Sequence, residues 1–154
     1  MPEKATLKRA RQHKRAGKAP TTQAGEFVRE EMHHVREGTH GARSTKQAIA
    51  IGLSKARRAG VTLPRPPASA TARTKRSAEY ASRAGAHGPT RPSARRSRAI
   101  SGALKREGHS AASKKALARQ ARAAARRRSP AARSAAARQA ARTRQRRRQA
   151  AARE

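Results

Sequence analysis

The sequence predicts an all-α fold, made of a small helical hairpin followed by a largely disordered or fluctuating-helix basic tail. Ala and Arg, both strong helix formers, dominate the chain. Its 154 residues include 40 Lys and Arg against 8 acidic residues, a formal net charge of +32. The apolar residues are mostly Ala, and Phe27 and Tyr80 are the only aromatic ones. Because high charge with few large apolar side chains is typical of disorder, a core is predicted only in the hairpin.

Residues 1–20 are predicted to form a basic N-terminal arm with one helix over residues 3–16. Pro2 precedes this helix and Gly17 ends it. Its cations have almost no acidic neighbours in the sequence. This pattern favours an arm that contacts phosphates over a merely solvated helix.

The second helix of the hairpin is the best-defined element, running from Ser44 to Gly60. Ser44 is predicted to be its N-cap, with Gln47 completing a capping box. Gly60 takes the position after the helix, where a positive φ is favourable for glycine. Gly52 in the interior costs about 1 kcal/mol relative to Ala. Either a close approach by another helix or simple tolerance explains this glycine.

The hairpin module is predicted over residues 21–60. Its first helix has Thr21 or Thr22 as its N-cap and ends at Gly38. It is predicted to pair antiparallel with the second helix. Its apolar residues Phe27, Val28, Met32 and Val35 are predicted to meet Ile49, Ile51 and Leu53. The burial of so few apolar side chains barely offsets the loss of chain entropy, so the hairpin is predicted to need self-association or a protein partner. The residues predicted to make that contact are those of this face other than Ile51.

A proline-rich linker is predicted at residues 61–67, where three prolines favour extended polyproline II geometry. The basic tail follows over residues 68–154. Its candidate helices cover residues 68–84, 95–107, 110–128 and 130–153, with Ser110 and Ser129 as caps and a break at GAHGPTRPS. Because these helices lack an apolar face, we expect them to become ordered when phosphates neutralise their charge.

No catalytic site, metal site or cofactor is predicted. General acid–base chemistry needs carboxylates or histidines in a dry pocket, which this composition cannot build. Phosphate-cradling and nucleophile-elbow motifs are absent from the sequence. His33, His34 and His40 raise the question of a metal ion. Adjacent histidines point to different sides of a helix, however, and no Cys or Asp completes a ligand set.

The segment from Glu26 to Gly60 resembles a family of small, basic, uncharacterised bacterial proteins. Members share the core S-x-K-Q-A-I-A-I-x-L-S-x-A-R-R-A-G, which this chain has from Ser44 to Gly60. They are often labelled DNA-binding or plasmid stabilization proteins, so the resemblance implies a bacterial, cytoplasmic and nucleoid-associated protein. The tail separately resembles, in composition, the basic tails of linker-histone-like nucleoid proteins.

Charge of this sign and size predicts binding to polyanions through counterion release. DNA is favoured, with sequence-tolerant binding that neutralises and bridges phosphates. RNA or ribosome binding is an alternative, and so is a protein-interaction hairpin that the tail only localises. A membrane-surface role is disfavoured because the helices lack a Trp, Phe or Leu face. The sequence also shows no bilayer-spanning segment and no secretory signal.

The side chains predicted to contact nucleic acid are basic residues of the second hairpin helix and of the tail. They are Lys46, Lys55, Arg57, Arg58, Arg95, Arg96, Arg98, Lys114, Lys115, Arg119, Arg122, Arg126, Arg127, Arg128, Arg142, Arg146, Arg147 and Arg148.

Overall fold

The computed structural model describes residues 2–87 and 93–152, with the side chain of Arg147 excepted. Over these residues it contains seven α-helices, one 3₁₀ turn and no strand, which confirms the all-α prediction. The helices are α1 (Lys4–Arg15), α2 (Pro20–Arg36), α3 (Thr45–Arg58), α4 (Ala72–Ala86), α5 (Ala94–Lys105), α6 (Lys114–Arg126) and α7 (Pro130–Ala151), and the 3₁₀ turn is Ser110–Ala112. Most of the predicted break at GAHGPTRPS and the end of the last predicted helix lie outside the described residues.

Short polar side chains begin several of the helices, as the sequence indicates. Ser44 Oγ accepts a hydrogen bond of 3.2 Å from the N–H of Gln47, which confirms the predicted N-cap of α3. Gly60 has a φ of +84°, so α3 ends as predicted. Ser129 Oγ accepts a hydrogen bond of 3.2 Å from the N–H of Ala132, and α7 therefore begins at the predicted Ser-Pro pair.

The side-chain capping of α2 and α3 departs from the prediction in part. Helix α2 begins at Pro20, without a side-chain cap from Thr21 or Thr22. Proline suits this position because it lacks the N–H that a cap would satisfy and its φ is already helical. At α3, the side chain of Gln47 accepts a hydrogen bond of 2.9 Å from the N–H of Arg43, one residue before the N-cap that a capping box would use.

Helices α2 and α3 pack as an antiparallel pair, as predicted. Phe27, in the first half of α2, shares a core cluster with Ala56 near the end of α3. Val35, near the end of α2, shares the other core cluster with Ala48 in the first half of α3. The core of the hairpin is therefore two small clusters joined along one helix pair.

Glycines allow the helices to approach at backbone distance. A Cβ placed on Gly52 of α3 would lie 2.7 Å from the Cα of Val28 on α2, so close approach explains this glycine. A Cβ on Gly85 of α4 would overlap the backbone carbonyl oxygen of Arg57 on α3. Small residues thus substitute for the large apolar side chains that the composition lacks.

The apolar face predicted to serve a partner lies inside the protein. Its members Phe27, Val35 and Met32 are buried, and Val28, Ile49 and Leu53 are partly buried against the same two clusters. Ile51 is half-buried and belongs to neither cluster of described residues. Residues from α1, from the segment after α3 and from the 3₁₀ turn cover this face. A partner would have to open the hairpin to reach it.

The chain consists of two compact units, the first ending at Leu117 and the second beginning at Ala118. The predicted linker, residues 61–67, lies within the first unit. Helix α4 packs on α3 through the buried residues Ala78 and Ala81. Alanine gives no recognisable apolar period in an alanine-rich sequence, which is why this packing is invisible in the pattern.

Backbone hydrogen bonds join the end of α5 and the segment after it to the loop between α2 and α3. The N–H of Gly41 donates to Leu104 O and the N–H of Ala42 donates to Gly108 O, each at 2.9 Å. Thr45 Oγ1 donates to the carbonyl oxygen of Ala111 at 2.6 Å. Main-chain groups make most of these contacts, so they cannot be predicted from the pattern of side chains.

The tail is helical in the structure, and its predicted disorder is not supported. Helices α4 to α7 account for most of the described residues beyond the linker. Ser113 caps α6 in place of Ser110, which lies in the 3₁₀ turn. In the second unit, α7 is a 22-residue helix whose side chains are almost all exposed. It is helical because Ala, Arg and Gln favour the conformation intrinsically.

Candidate nucleic-acid interface

An acidic residue of α2 anchors the predicted basic arm to the protein. Glu26, which is buried, accepts a hydrogen bond of 2.8 Å from Arg9 Nε. His13 Nε2 lies 3.1 Å from its other oxygen, and Arg29 also pairs with it. Burial raises the pKa of Glu26, but the hydrogen bonds from Arg9 and His13 and the charges of Arg29 and Arg9 outweigh it, so the pKa lies below its ordinary value. Helix α1 is therefore docked on α2.

Lys55 and Arg57, both predicted to contact nucleic acid, serve the fold instead. Lys55 Nζ donates to Glu30 Oε1 at 3.3 Å and lies 2.7 Å from Glu31 Oε2. Both carboxylates are buried, so the ammonium group compensates two internal charges. Arg57 is also buried, and its guanidinium donates to the carbonyl oxygen of Pro64 at 3.1 Å.

Internal pairing of the acids leaves the outer cations uncompensated. Among the described residues, Arg9, Arg29 and Lys55 are the only lysines and arginines that form ion pairs. Lys46 and Arg58 of α3 are exposed and belong to the uncompensated group. The unpaired lysines and arginines greatly outnumber the remaining acidic residues, so the surface of the described chain is strongly basic.

Two helices present the same row of cations on their exposed sides. The α1 row is Lys4, Lys8, Arg11 and Arg15, and the α6 row is Lys115, Arg119, Arg122 and Arg126. In each row, steps of four, three and four residues keep the side chains on one face of the helix. The first and last residues of each row are eleven positions apart, which is roughly 16 Å along a helix. The α1 row lies opposite the buried residues Thr6 and Ala10 of the same helix.

Helix α4 presents a third basic face, which includes the single tyrosine. Arg73, Arg76, Tyr80 and Arg83 follow each other at steps of three or four residues, and all are exposed. Tyr80 is 57% exposed, an unusual position for an aromatic side chain in a protein with so few. The face lies opposite the buried alanines of α4.

The other predicted residues of the tail are distributed over α5, α6, α7 and the segment after α6. Arg95, Arg96 and Arg98 on α5, Lys114 at the start of α6, Arg127 and Arg128 after it, and Arg142, Arg146 and Arg148 on α7 are all exposed. The side chain of Arg147 lies outside the described part of the chain. On α7, Arg138, Arg142 and Arg146 share one face at steps of four residues, while Arg133, Arg144 and Arg148 lie on the other sides of the helix.

The sequence prediction assigned phosphate contact to the N-terminal arm without identifying the α1 row as one face, and it missed the basic face of α4. Both are visible in the sequence as cations that recur every three or four residues, the same period that identifies an apolar face. The prediction concentrated on runs of neighbouring cations, such as Arg95 and Arg96, whose side chains point to different sides of the helix. Periodicity of charge, rather than its local density, is the more informative signal.

The low pKa of Glu26 makes the docking of α1 sensitive to acid. A carboxyl whose pKa is depressed by folding stabilises the protein above its unfolded pKa, and this stability is lost as the pH falls through the folded pKa. We expect the free energy of unfolding to decrease as the pH is lowered from about 4.3, the ordinary pKa of glutamate. This decrease should be smaller in Glu26→Gln. Denaturant titrations from neutral to acidic pH measure this. Glu37→Gln, at an exposed position after the same helix, should keep the wild-type slope; an equal flattening in both variants would contradict the assignment.

Together these features define a small all-α protein with paired acids inside and unpaired cations outside. The sequence profile of a family of unknown function, DUF6496, matches residues 14–66, a stretch that includes all of α2 and α3. The match covers about a third of the chain, and the family's description gives no activity. No curated protein and no solved structure matches this chain. None of the described helices is both long and apolar enough to cross a membrane.

Proposed function

We propose that the protein is a non-enzymatic DNA-binding protein that holds duplexes through their phosphates, with little dependence on base sequence. The α1 row and the α6 row are the observation that supports this most directly. Each row extends over roughly 16 Å, and duplex DNA presents about ten phosphate charges over that length. Since these cations have no acidic partner among the described residues, binding breaks no ion pair within the protein.

The arrangement suits contact with phosphates better than reading of bases. Base recognition needs side chains that are held in place by neighbouring groups. The cations of both rows extend from exposed helix faces instead. Each row by itself offers contacts to one stretch of phosphates, and bridging of duplexes is part of the proposed function. The resemblance of the hairpin to DNA-binding and plasmid stabilization proteins supports a nucleoid-associated or plasmid-maintenance role in the bacterial cytoplasm.

Neutralising the α6 row tests this proposal. In a variant with Lys115, Arg119, Arg122 and Arg126 all changed to Gln, we expect weaker binding to duplex DNA. The plot of log K against log salt should also become shallower by about 3 to 4, because each lost phosphate contact removes about 0.9 from its slope. Fluorescence anisotropy with a short labelled duplex over a salt series measures both quantities.

A charge-preserving variant is the matched control. Changing Arg119, Arg122 and Arg126 to Lys keeps the charge of the row and should leave the salt slope unchanged. Circular dichroism of both variants checks that the helices remain. If the Gln variant keeps the wild-type affinity and slope, the α6 row does not bind DNA.

The exposed Tyr80 supports a second candidate, binding to RNA or other single strands. An aromatic side chain between Arg76 and Arg83 offers a surface on which an unpaired base stacks. Competition between duplex DNA and an RNA hairpin with a single-stranded loop distinguishes the two candidates. Preference for the RNA, lost in Tyr80→Ala, would favour the second candidate over the first.

A further inference from the structure

We propose that the hairpin contains a binding site for one divalent transition-metal ion of the Zn²⁺ type, with Glu31, His34 and His40 as its ligands. One ligand atom from each residue lies within 4.8 Å of the other two. Glu31 and His34 are three residues apart on α2, so they project from the same face of the helix. His40 comes from the loop that joins α2 to α3. The site is independent of the proposed DNA binding.

The carboxylate of Glu31 is the first reason to place a cation here. Glu31 is 0% exposed, and neither of its side-chain oxygens has a hydrogen-bond partner among the described residues. Lys55 Nζ is 2.7 Å from Oε2 and His40 Nε2 is 3.2 Å from Oε1, so charged or polar neighbours are close without forming a properly angled hydrogen bond. Because Lys55 is shared with Glu30, the buried Glu31 carboxylate has half a counter-charge and no hydrogen bond from the described residues, which is unfavourable unless a further cation binds it.

The two histidines are held as metal ligands usually are. His40 Nδ1 lies 3.0 Å from the carbonyl oxygen of Gly41, which only accepts hydrogen bonds, so Nδ1 carries the proton. The lone pair of the neutral ring is then on Nε2, the atom that faces Glu31. His34 Nε2 lies 2.8 Å from Glu3 Oε1, so its neutral ring has the lone pair on Nδ1. Outer acceptors that fix the proton on one nitrogen and free the other are typical of metal-binding histidines.

The donor set selects the class of ion. Two imidazole nitrogens and one carboxylate oxygen suit Zn²⁺ and its neighbours in the first transition row, whereas Mg²⁺ and Ca²⁺ prefer oxygen ligands alone. Three protein ligands leave a fourth tetrahedral position for water. Bonds of about 2.0–2.2 Å require the three side chains to move inward, and His34 and His40, at 17% and 15% side-chain exposure, are at the edge of the core where such movement is possible.

Charge around the site also favours a divalent cation. Glu30 and Glu31 are both buried and share the single ammonium group of Lys55, so one negative charge remains uncompensated in the interior. Glu3, whose side chain is half exposed, adds another carboxylate beside His34. A metal cation supplies the missing positive charge, and it also ties the loop to α2 close to where Gly41 and Ala42 donate to the carbonyl oxygens of Leu104 and Gly108.

The sequence prediction of no metal site rested on the adjacent pair His33 and His34. The structure agrees that they diverge, since His33 is 63% exposed and lies near Glu37. The missing ligand is a glutamate rather than a Cys or Asp. Glu31 and His34 form an E-x-x-H pair, whose spacing places both side chains on one face of a helix. The sequence prediction did not use this pair because it explained the glutamates by charge balance alone.

Metal titration of the full-length, untagged chain, freed of nucleic acid and of metal by nuclease and chelator, tests the proposal. We expect Zn²⁺ to bind with a stoichiometry of one per chain in calorimetry and to raise the melting temperature as its concentration increases. Co²⁺ should give the visible absorption of a tetrahedral site that contains nitrogen ligands. Millimolar Mg²⁺ should not compete.

Three variants separate this site from adventitious histidine binding. His34→Gln and His40→Gln should each weaken Zn²⁺ binding by about tenfold or more. His33→Gln, the matched control on the exposed side of α2, should bind as wild type does. Circular dichroism without metal shows whether each variant folds. The proposal is overturned by the absence of saturable binding in the wild-type chain, or by an equal loss in His33→Gln and folded His40→Gln.

Discussion

Raising the salt concentration from about 50 to 200 mM is expected to weaken binding of the full chain to duplex DNA by about 10³–10⁵-fold. This range applies to a protein that makes roughly 6–10 phosphate contacts, each of which releases condensed counterions. The α1 row, the α6 row and the basic face of α4 together offer enough exposed cations for that number. Fluorescence anisotropy over a salt series, with a short labelled duplex, gives the slope.

Duplexes of different sequence and equal length provide the control for this experiment. If phosphates dominate, their slopes and affinities should nearly coincide. A shallow slope, equivalent to two or three contacts, would mean that the exposed rows do not engage DNA. A large difference between duplexes would point instead to recognition of bases.

Lys55→Met is expected to be the most damaging single substitution in the first unit. Its ammonium group is the cation that Glu30 and Glu31 share, and both carboxylates are buried. Removing one member of a buried ionic cluster typically lowers the free energy of unfolding by about 3–5 kcal/mol, while domains of this kind are stable by only about 5–15 kcal/mol. Methionine keeps the length of the side chain, so the loss reports on charge rather than on packing.

Lys46→Met is the matched control, because Lys46 is exposed on the same helix. Denaturant unfolding followed by circular dichroism, with chelator present to exclude metal ions, measures both variants. Lys46→Met should stay within about 0.5 kcal/mol of wild type. Equal stability of the two variants would show that Lys55 does not hold the internal acids, and the description of the core would need revision.

Much of the helical structure was predictable because its signals are local. Ser44, Gly60 and Ser129 mark helix ends by chemistry that acts within a single turn. The extent of the folded unit was not predictable. It depends on the buried alanines of α4, which have no distinctive period in this composition, and on main-chain hydrogen bonds such as that from Gly41 to Leu104.

The candidate interface was predictable in kind and less so in detail. Composition correctly indicated an excess of exposed cations, but it could not show that Lys55 and Arg57 point inward. Glu30 and Glu31 decide this for Lys55, because both buried carboxylates pair with its ammonium group, whereas Arg57 turns inward to donate to the carbonyl oxygen of Pro64. Spacing along one helix does not reveal which face another helix will cover, and for that reason the internal ion pairs required the structure.

The glycines at the helix contacts determine which changes this protein tolerates as it diverges. Gly41, Gly52 and Gly85 each occupy a place where even a methyl group meets another backbone. Substitution at any of them must separate two segments, whereas almost any exposed position accepts another arginine or alanine. We therefore expect random mutagenesis, scored by retention of fold, to show an intolerant framework of a few small residues within an otherwise permissive sequence. Relatives would then share their smallest residues long after their charged surfaces had changed.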